Sequence, residues 1–272
     1  PEWFADSTII YDAEALFACR DISLHELNGT PLPEDEAQRM LREEVRLASG
    51  AHCVISVSES ERAAFQQHGI ERVHVLGHAI SADPTSRPFA KRSGFLFVGA
   101  IPGDASPNGD SVIWFLTDIF PRIQAVLGAN VPLIIAGRNE PERIRQLAGP
   151  SVRITGQVRD LSDFYDAARV FIAPTRYAAG IPHKVHESAA RGLPVVATPL
   201  IASQLGWHEG DLLLTGGDAD AFARRCIELH TDEATWTKLR EAGLARIQTE
   251  CSQEAFERKL GEIAGGRQRL PS

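Results

Sequence analysis

VFIAPTRYAAGIPHKVHESAARGLPVVAT, residues 170–198, decides how the rest of the chain is read. Its apolar run, residues 170–173, stops at Pro174, as a strand buried in a covered parallel sheet would. A turn containing Gly180 follows, then a short helical pattern carrying Lys184 and Glu187, which Gly192 ends. Pro194 leads into a second apolar run, VVAT. Strand, glycine turn, helix and strand make a βαβ unit, and helix N-termini after such strands receive anions. Lys184 and Glu187, three residues apart, share a helical face, with the positive charge nearer the turn. That layout suits a ligand bearing both phosphate and hydroxyl groups, such as a nucleotide sugar.

Further runs of the same kind flank this unit: FLFVGA at 95–100, PLIIAG at 132–137, VRITG at 152–156 and LLLTG at 212–216. With the two runs already quoted they make six, separated mostly by helical patterns, and they predict a parallel, doubly wound sheet. The helix expected from Asp110 carries Val112, Ile113, Phe115, Leu116, Ile119, Phe120 and Ile123 in the stripe of a helix packed on a sheet. From Asp218 onward the pattern is mainly helical. Ahead of this region, residues 8–12 and 53–58 read as strands, residues 72–80 as another, and 34–49 as a surface helix. Residues 13–33 read as a polar stretch with a turn at Asn28-Gly29. Ser58 and Glu61 form a capping box opening a helix that runs to about Gly69. A Pro- and Ser-containing connector, 81–93, marks a domain boundary.

Ligands of open α/β sheets sit at the carboxyl ends of the strands. The loop 99–110 offers Gly99 and Asn108 beside a helix start, though without the GxGxxG pattern of dinucleotide sites; a plain Gly/Pro turn fits it equally well. Gly137-Arg138 places a guanidinium at the end of the next strand, suited either to phosphate or to solvent. Asp160 reads as an N-cap for a helix over 161–168, and the backbone near Val158 lies where a base could be read. Arg176 and Lys184 bracket the Gly180 turn. Lys184 and the amides near Gly180 suit phosphate, and Glu187 suits ribose hydroxyls; a solvated amphipathic helix is the plain alternative. His183 and His186 stand at i, i+3 on one face, but no third metal ligand has matching spacing.

The bulk properties narrow the class. The chain has 272 residues, 43% of them hydrophobic and 24% charged, as an ordinary soluble globular protein has. A net charge of −8 argues against a general nucleic-acid binder. Four scattered cysteines with no CxxC read as reduced thiols in a cytoplasmic protein. No apolar run approaches the roughly 18 residues of a membrane span. No nucleophile elbow, P-loop or HExxH motif occurs, which points away from hydrolase, kinase and metalloprotease chemistry.

PNGDSVIWFLTDIFPRI (107–123), LIIAGR (133–138), residues 152–198 and DADAFARRCIELHTDEATWTKL (218–239) resemble the retaining GT-B glycosyltransferases of the glycosyl transferase group 1 (family 4) type. IIYDAEALFACR and HCVISVSESE resemble the end of the same family's first Rossmann-like domain. The resemblance implies a GT-B-type α/β fold: residues 1–82 as the remnant of an acceptor-side domain, 83–251 as a complete donor domain, and 252–272 as a helix crossing back. It implies a nucleotide-diphosphate sugar of UDP or GDP type as donor substrate, with no cofactor and no metal. The acceptor would be a growing glycan or lipid-linked saccharide, and peripheral membrane association would run through the absent part of the first domain.

In the family's E-x7-E motif Glu187 matches the second acid, which contacts the donor ribose. Arg176 and Lys184 match the basic positions of a P-x-R…G-x-x-x-K subgroup, and Gly180 with Ile181 lies where backbone amides meet diphosphate or sugar. Together with the strand-end residues read above, the expected donor set is Gly99, Asn108, Gly137, Arg138, Val158, Arg176, Gly180, Ile181, Lys184 and Glu187, with Lys184 and Glu187 carrying catalysis. The protein's part in transfer would be electrostatic stabilisation of the departing diphosphate. Position 179, where the first acid belongs, is Ala179. A non-catalytic nucleotide-sugar-binding domain and a GT-B-fold epimerase are the competing expectations.

Overall fold

The computed structural model describes residues 7–265. The chain divides into two compact units. One takes the chain up to Ala79, the segment Tyr177–Ile181 and the chain from Gln253; the other takes Ile80–Arg176 and Pro182–Ser252.

The first unit holds a parallel sheet ordered β1-β2-β3, built from β1 (Ile10–Ala13), β2 (Cys53–Ser56) and β3 (Val73–Val75). Helices α1 (Phe17–Leu27) and α2 (Glu34–Val45) join β1 to β2, and α3 (Glu59–Gln67) joins β2 to β3. The strand expected over 72–80 is thus only its first part. Helix α1 stands where the sequence reads as polar turn, and its N-terminus explains why it escapes notice. Its N-cap, Leu16, brings no capping side chain. The orphan amides are met instead by distant carboxylates: Leu16 N–H donates to Glu61 Oε1 at 3.0 Å, and Phe17 and Ala18 donate to the two oxygens of Glu44 at 2.8 and 2.7 Å.

Only half of the expected capping box forms. Ser58 Oγ accepts from Glu61 N–H at 3.2 Å, while the Glu61 carboxylate turns away to Leu16 and to the Gly180 amide. Cys19, in the first turn of α1, is no activated thiol: burial, then Glu61 and Glu44, push it up to about 11.

The second unit is a six-stranded, wholly parallel sheet ordered β6-β5-β4-β7-β8-β9. Its strands are β4 (Phe95–Val98), β5 (Leu133–Ala136), β6 (Val152–Ile154), β7 (Val170–Ala173), β8 (Val195–Ala197) and β9 (Leu214–Thr215). They are the six runs read from the sequence. The intervening helices are α4 (Pro107–Trp114), α5 (Phe120–Leu127), α6 (Glu142–Gln146), α7 (Ser162–Ala167), α8 (His183–Ala190) and α9 (Pro199–Leu205). After β9 come α10 (Ala219–Thr231) and α11 (Glu233–Glu250); α12 (Gln253–Gly265) belongs to the first unit, where Phe256 and Ile263 pack on Cys53, Ile55 and Leu76.

Successive β4 residues alternate between two cores. Phe95 and Phe97 join Phe115, Ile123 and Phe222 on one face, and Leu96 and Val98 join Phe171, Val185 and Leu193 on the other. A sheet covered on both faces needs such continuously apolar strands. The helix expected from Asp110 opens three residues earlier, because Ser106 caps the Gly109 amide and Pro107 suits the first helical position. It widens to a π turn over Phe115–Ile119 ahead of Pro121, which lacks the N–H to continue the ladder. Asp160 caps from one residue further out than expected, accepting from Ser162 N–H at 2.8 Å ahead of α7.

Two buried polar side chains tie this unit together. Arg92, 1% exposed, donates to the carbonyls of Arg87, Tyr165 and Ala168 at 2.7, 2.8 and 3.1 Å and lies 5.4 Å from the Trp236 ring centroid. His230 Nε2 accepts from Gly94 N–H at 3.0 Å, and its ring stacks on Phe95.

Arg92→Ala removes the donor from two buried carbonyls, Tyr165 and Ala168, and from the part-buried Arg87 carbonyl, and denaturant unfolding is expected to show a loss of about 3 kcal/mol or more. Burial, with Arg169 second, lowers the His230 pKa from 6.5 to about 4. The unfolded chain therefore binds the proton first, so stability falls as pH drops from about 6.5 through about 4. His230→Gln, which keeps an acceptor without titrating, is expected to flatten that part of the stability–pH curve in thermal melts.

Candidate functional site

The order of the second sheet reverses between β4 and β7, and the two strands part there. β4 pairs with β5 along all four residues, but with β7 only through Phe95–Val170 and Leu96–Phe171. Parting strands at a topological switch point leave a crevice at the carboxyl edge, where α/β sheets take their ligands.

Close backbone approach shapes that edge. Gly137 has φ +129°, and a Cβ on it would stand 2.3 Å from the Gly99 carbonyl oxygen. A Cβ on Gly99 would stand 2.8 Å from Asn108 Nδ2. The missing side chains let Asn108, in the first turn of α4, lie across the end of β4. Its Nδ2 donates to the Ala100 carbonyl at 2.8 Å, and its Oδ1 accepts from Lys184 Nζ, in the first turn of α8, at 2.6 Å.

The Lys184 ammonium also sits 4.5 Å from the centroid of the Phe97 ring, on the end of β4. It makes no ion pair among the described residues. Burial pushes its pKa down from 10.5 to about 7. The ammonium of this half-buried side chain thus has a neutral amide and an aromatic face for partners, and neither cancels its charge.

The other predicted residues are placed as follows. Arg176 pairs through two nitrogens with Asp110, Nε to Oδ2 at 2.9 Å and Nη2 to Oδ1, and lies 5.1 Å from the Trp114 ring centroid. Below it, Ser111 Oγ donates to Thr175 Oγ1 at 3.2 Å and fixes α4 to the end of β7. Glu187, half-exposed, faces His183 Nδ1 at 3.5 Å. Arg138 reaches Glu140 at 3.3 Å on open surface. Val158 is half-buried in the segment between β6 and α7. The Gly180 N–H, at φ +79°, donates to Glu61 Oε1 at 2.9 Å. The other carboxylate oxygen, Glu61 Oε2, is buried without a hydrogen-bond partner, and burial raises the acid's pKa.

Ala179, Gly180 and Ile181 line a cleft of about 510 Å³ in the first unit, with Asp12 and Ile55 from its sheet and His78 beyond β3. His183 and His186 do not share an environment: His183 is half-exposed, whereas His186 is buried beside Trp207. Among the described residues no group of three or more His, Cys, Asp or Glu is placed to hold a metal.

The structure thus gathers Gly99, Asn108 and Lys184, with Gly137 behind them, and ties Arg176, in the segment after β7, to Asp110 on the same helix as Asn108. Sequence reasoning missed Phe97, which reads only as a strand residue, and Asp110, which reads as a helix start. It also missed the long reach of Glu61, for which the sequence signals only a local cap.

Comparison with known proteins agrees with this architecture. Two curated relatives are the amylovoran biosynthesis glycosyltransferase AmsK of Erwinia amylovora, 33% identical over 111 residues, and the lipopolysaccharide core biosynthesis glycosyltransferase LpsE of Rhizobium meliloti, 31% identical over 107. Those matches cover 38% and 39% of this chain but only 27% and 31% of the relatives, less than a third of their length. Among solved structures, HepE of Anabaena in complex with UDP and glucose superimposes with a TM-score of 0.73 at 16% identity, over 97% of this chain and 73% of that one. The expected GT-B-type α/β fold, with its parallel sheets, is the fold found. Residues 92–232, which span the six-stranded sheet and the parted β4 and β7, match the family of glycosyl transferases group 1, and the chain belongs to that family.

Proposed function

We propose that this chain is the donor-binding part of a retaining glycosyltransferase, which moves a sugar from a nucleotide-diphosphate sugar to a glycan or lipid-linked acceptor. The observation that carries the reading is Lys184: a half-buried ammonium at the switch point of a parallel sheet, with no ion pair among the described residues. A diphosphate supplies the missing charge, and its hydrogen bonds to an ammonium in a desolvated site are of the strong, charge-assisted kind. Glu187 stands one helical turn on, half-exposed, as an acceptor for ribose hydroxyls. The glycine-shaped edge at Gly99 and Gly137 lets the ligand approach the backbone.

In transfer, negative charge accumulates on the departing diphosphate as the bond to the sugar breaks. Lys184, already placed and desolvated, stabilises that charge without reorganising. The mixed polar and apolar cleft of the first unit, with Asp12, Glu14 and His78 on its walls, suits a polyhydroxylated acceptor. AmsK and LpsE are named for amylovoran and lipopolysaccharide core biosynthesis, which supports a bacterial surface saccharide as the acceptor class.

Calorimetry with UDP-, GDP- and ADP-sugars tests the reading, and binding of none of them at millimolar concentration would remove it. Lys184→Ala is expected to weaken nucleoside-diphosphate binding about 10- to 100-fold, and Glu187→Ala to weaken it less; unchanged affinity in both takes these residues out of the site. Binding also has a pH signature. The diphosphate favours the charged lysine, so above pH about 7 the protein must take up a proton to bind, and affinity declines as pH rises from there. Titrations at pH 8 in buffers of different ionisation enthalpy are expected to show that uptake in the wild type and to lose it in Lys184→Ala.

A further inference from the structure

Two helices meet at the carboxyl edge of β4 and β7, and the acids on them face partners other than Lys184. On α4, Asp110 pairs with Arg176 through both oxygens. On α8, Glu187 faces His183. Lys184, between His183 and Glu187 in sequence, receives an amide instead. An ammonium only donates and a carbonyl oxygen only accepts, so the Asn108 amide has one orientation that serves both neighbours. Its Nδ2 must face the Ala100 carbonyl, at 2.8 Å, and its Oδ1 must face Lys184, at 2.6 Å. Gly99 supplies the room: any Cβ there would stand 2.8 Å from Asn108 Nδ2. The side chain is therefore anchored at one end to the β4 backbone and at the other to the lysine.

We propose that Asn108 is a positioning residue for the donor: it fixes the Lys184 ammonium at the end of β4 without neutralising it, so that an incoming diphosphate is the first anion the ammonium meets. An aspartate in its place would hold the lysine equally well and cancel its charge, as Asp110 does for Arg176. The side chain acts through Lys184 and need not touch the donor. This inference rests on the nucleotide-diphosphate reading of the site.

The experiment compares wild type, Asn108→Asp and Asn108→Ala in two measurements. One is calorimetry with UDP, GDP and ADP; the other is the NMR titration of the Lys184 side chain in the free protein. In Asn108→Asp the lysine midpoint is expected to rise by about one pH unit or more, and affinity for the bound nucleoside diphosphate to fall about tenfold or more. In Asn108→Ala the midpoint is expected to fall, because the acceptor for the charged form is gone, and affinity to drop by only about threefold. A residue that merely supports the fold would not move the lysine in opposite directions.

Asn108→Asp binding as tightly as wild type overturns the proposal, as does Asn108→Ala losing as much as Asn108→Asp. Should Asn108→Asp not fold, an unmoved lysine midpoint in Asn108→Ala overturns it on its own. Failure of the wild type to bind any of the three nucleotides is a different result, which removes the nucleotide reading and this proposal with it.

Discussion

The parting of β4 from β7 after Leu96 is the constraint on which the site depends. Up to that point the two strands share hydrogen bonds and a covered core. Beyond it each strand end turns to a different neighbour. β4 continues beside β5, pressed so closely that Gly99 and Gly137 meet carbonyl to Cα. β7 runs on to Thr175, which is tied to Ser111 on α4 and to Thr198 after β8. The opening between them follows from strand order, since neither strand has a partner on that side once they diverge. A side chain that reaches this opening is half-buried against backbone and aromatic surface.

Enclosure makes the choice of partner decisive. In water an ammonium beside an amide or a carboxylate differs by little, but in a desolvated crevice the difference is large. Arg176 and Lys184 receive opposite treatment from the same helix. Arg176 is matched by Asp110 in a two-pronged pair and stacked on Trp114, and so becomes part of the frame. Lys184 has an amide and the face of Phe97, which keep it in place and leave its charge available. The depressed pKa of Lys184 is the physical mark of that arrangement, because burial disfavours a charge that nothing opposes.

The first unit solves a related problem with carboxylates. Its helix α1 begins without a capping side chain of its own, and Glu61 and Glu44 reach in from other helices to meet its first amides. Glu61 also holds the Gly180 amide, so a single buried acid links the start of α1 to the Tyr177–Ile181 segment. One of its oxygens is left without a partner, which raises the cost of keeping it ionised. Burial first, and then the same pair of acids, keeps Cys19 a protonated thiol at a helix start that would otherwise favour a thiolate.

The sequence by itself determined the fold of the second unit. Six apolar runs, each ended by Gly, Pro or a polar turn and separated by helical stripes, leave a doubly wound parallel sheet as the arrangement that covers both faces, and the glycines and Lys184 fall at its carboxyl edge. Those signals are local, because burial period and turn chemistry are written into adjacent residues. Tertiary structure alone decided which charges are spent. Nothing in the spacing of Asn108, Asp110, Arg176 and Lys184 tells which acid meets which cation, since the partners lie 66 and 76 residues apart. Helix α1 was invisible for the same reason: the carboxylates that cap it lie 26 to 45 residues further along the chain. Local patterns report what a residue prefers to bury, whereas the state of a charge depends on whatever the folded chain brings beside it.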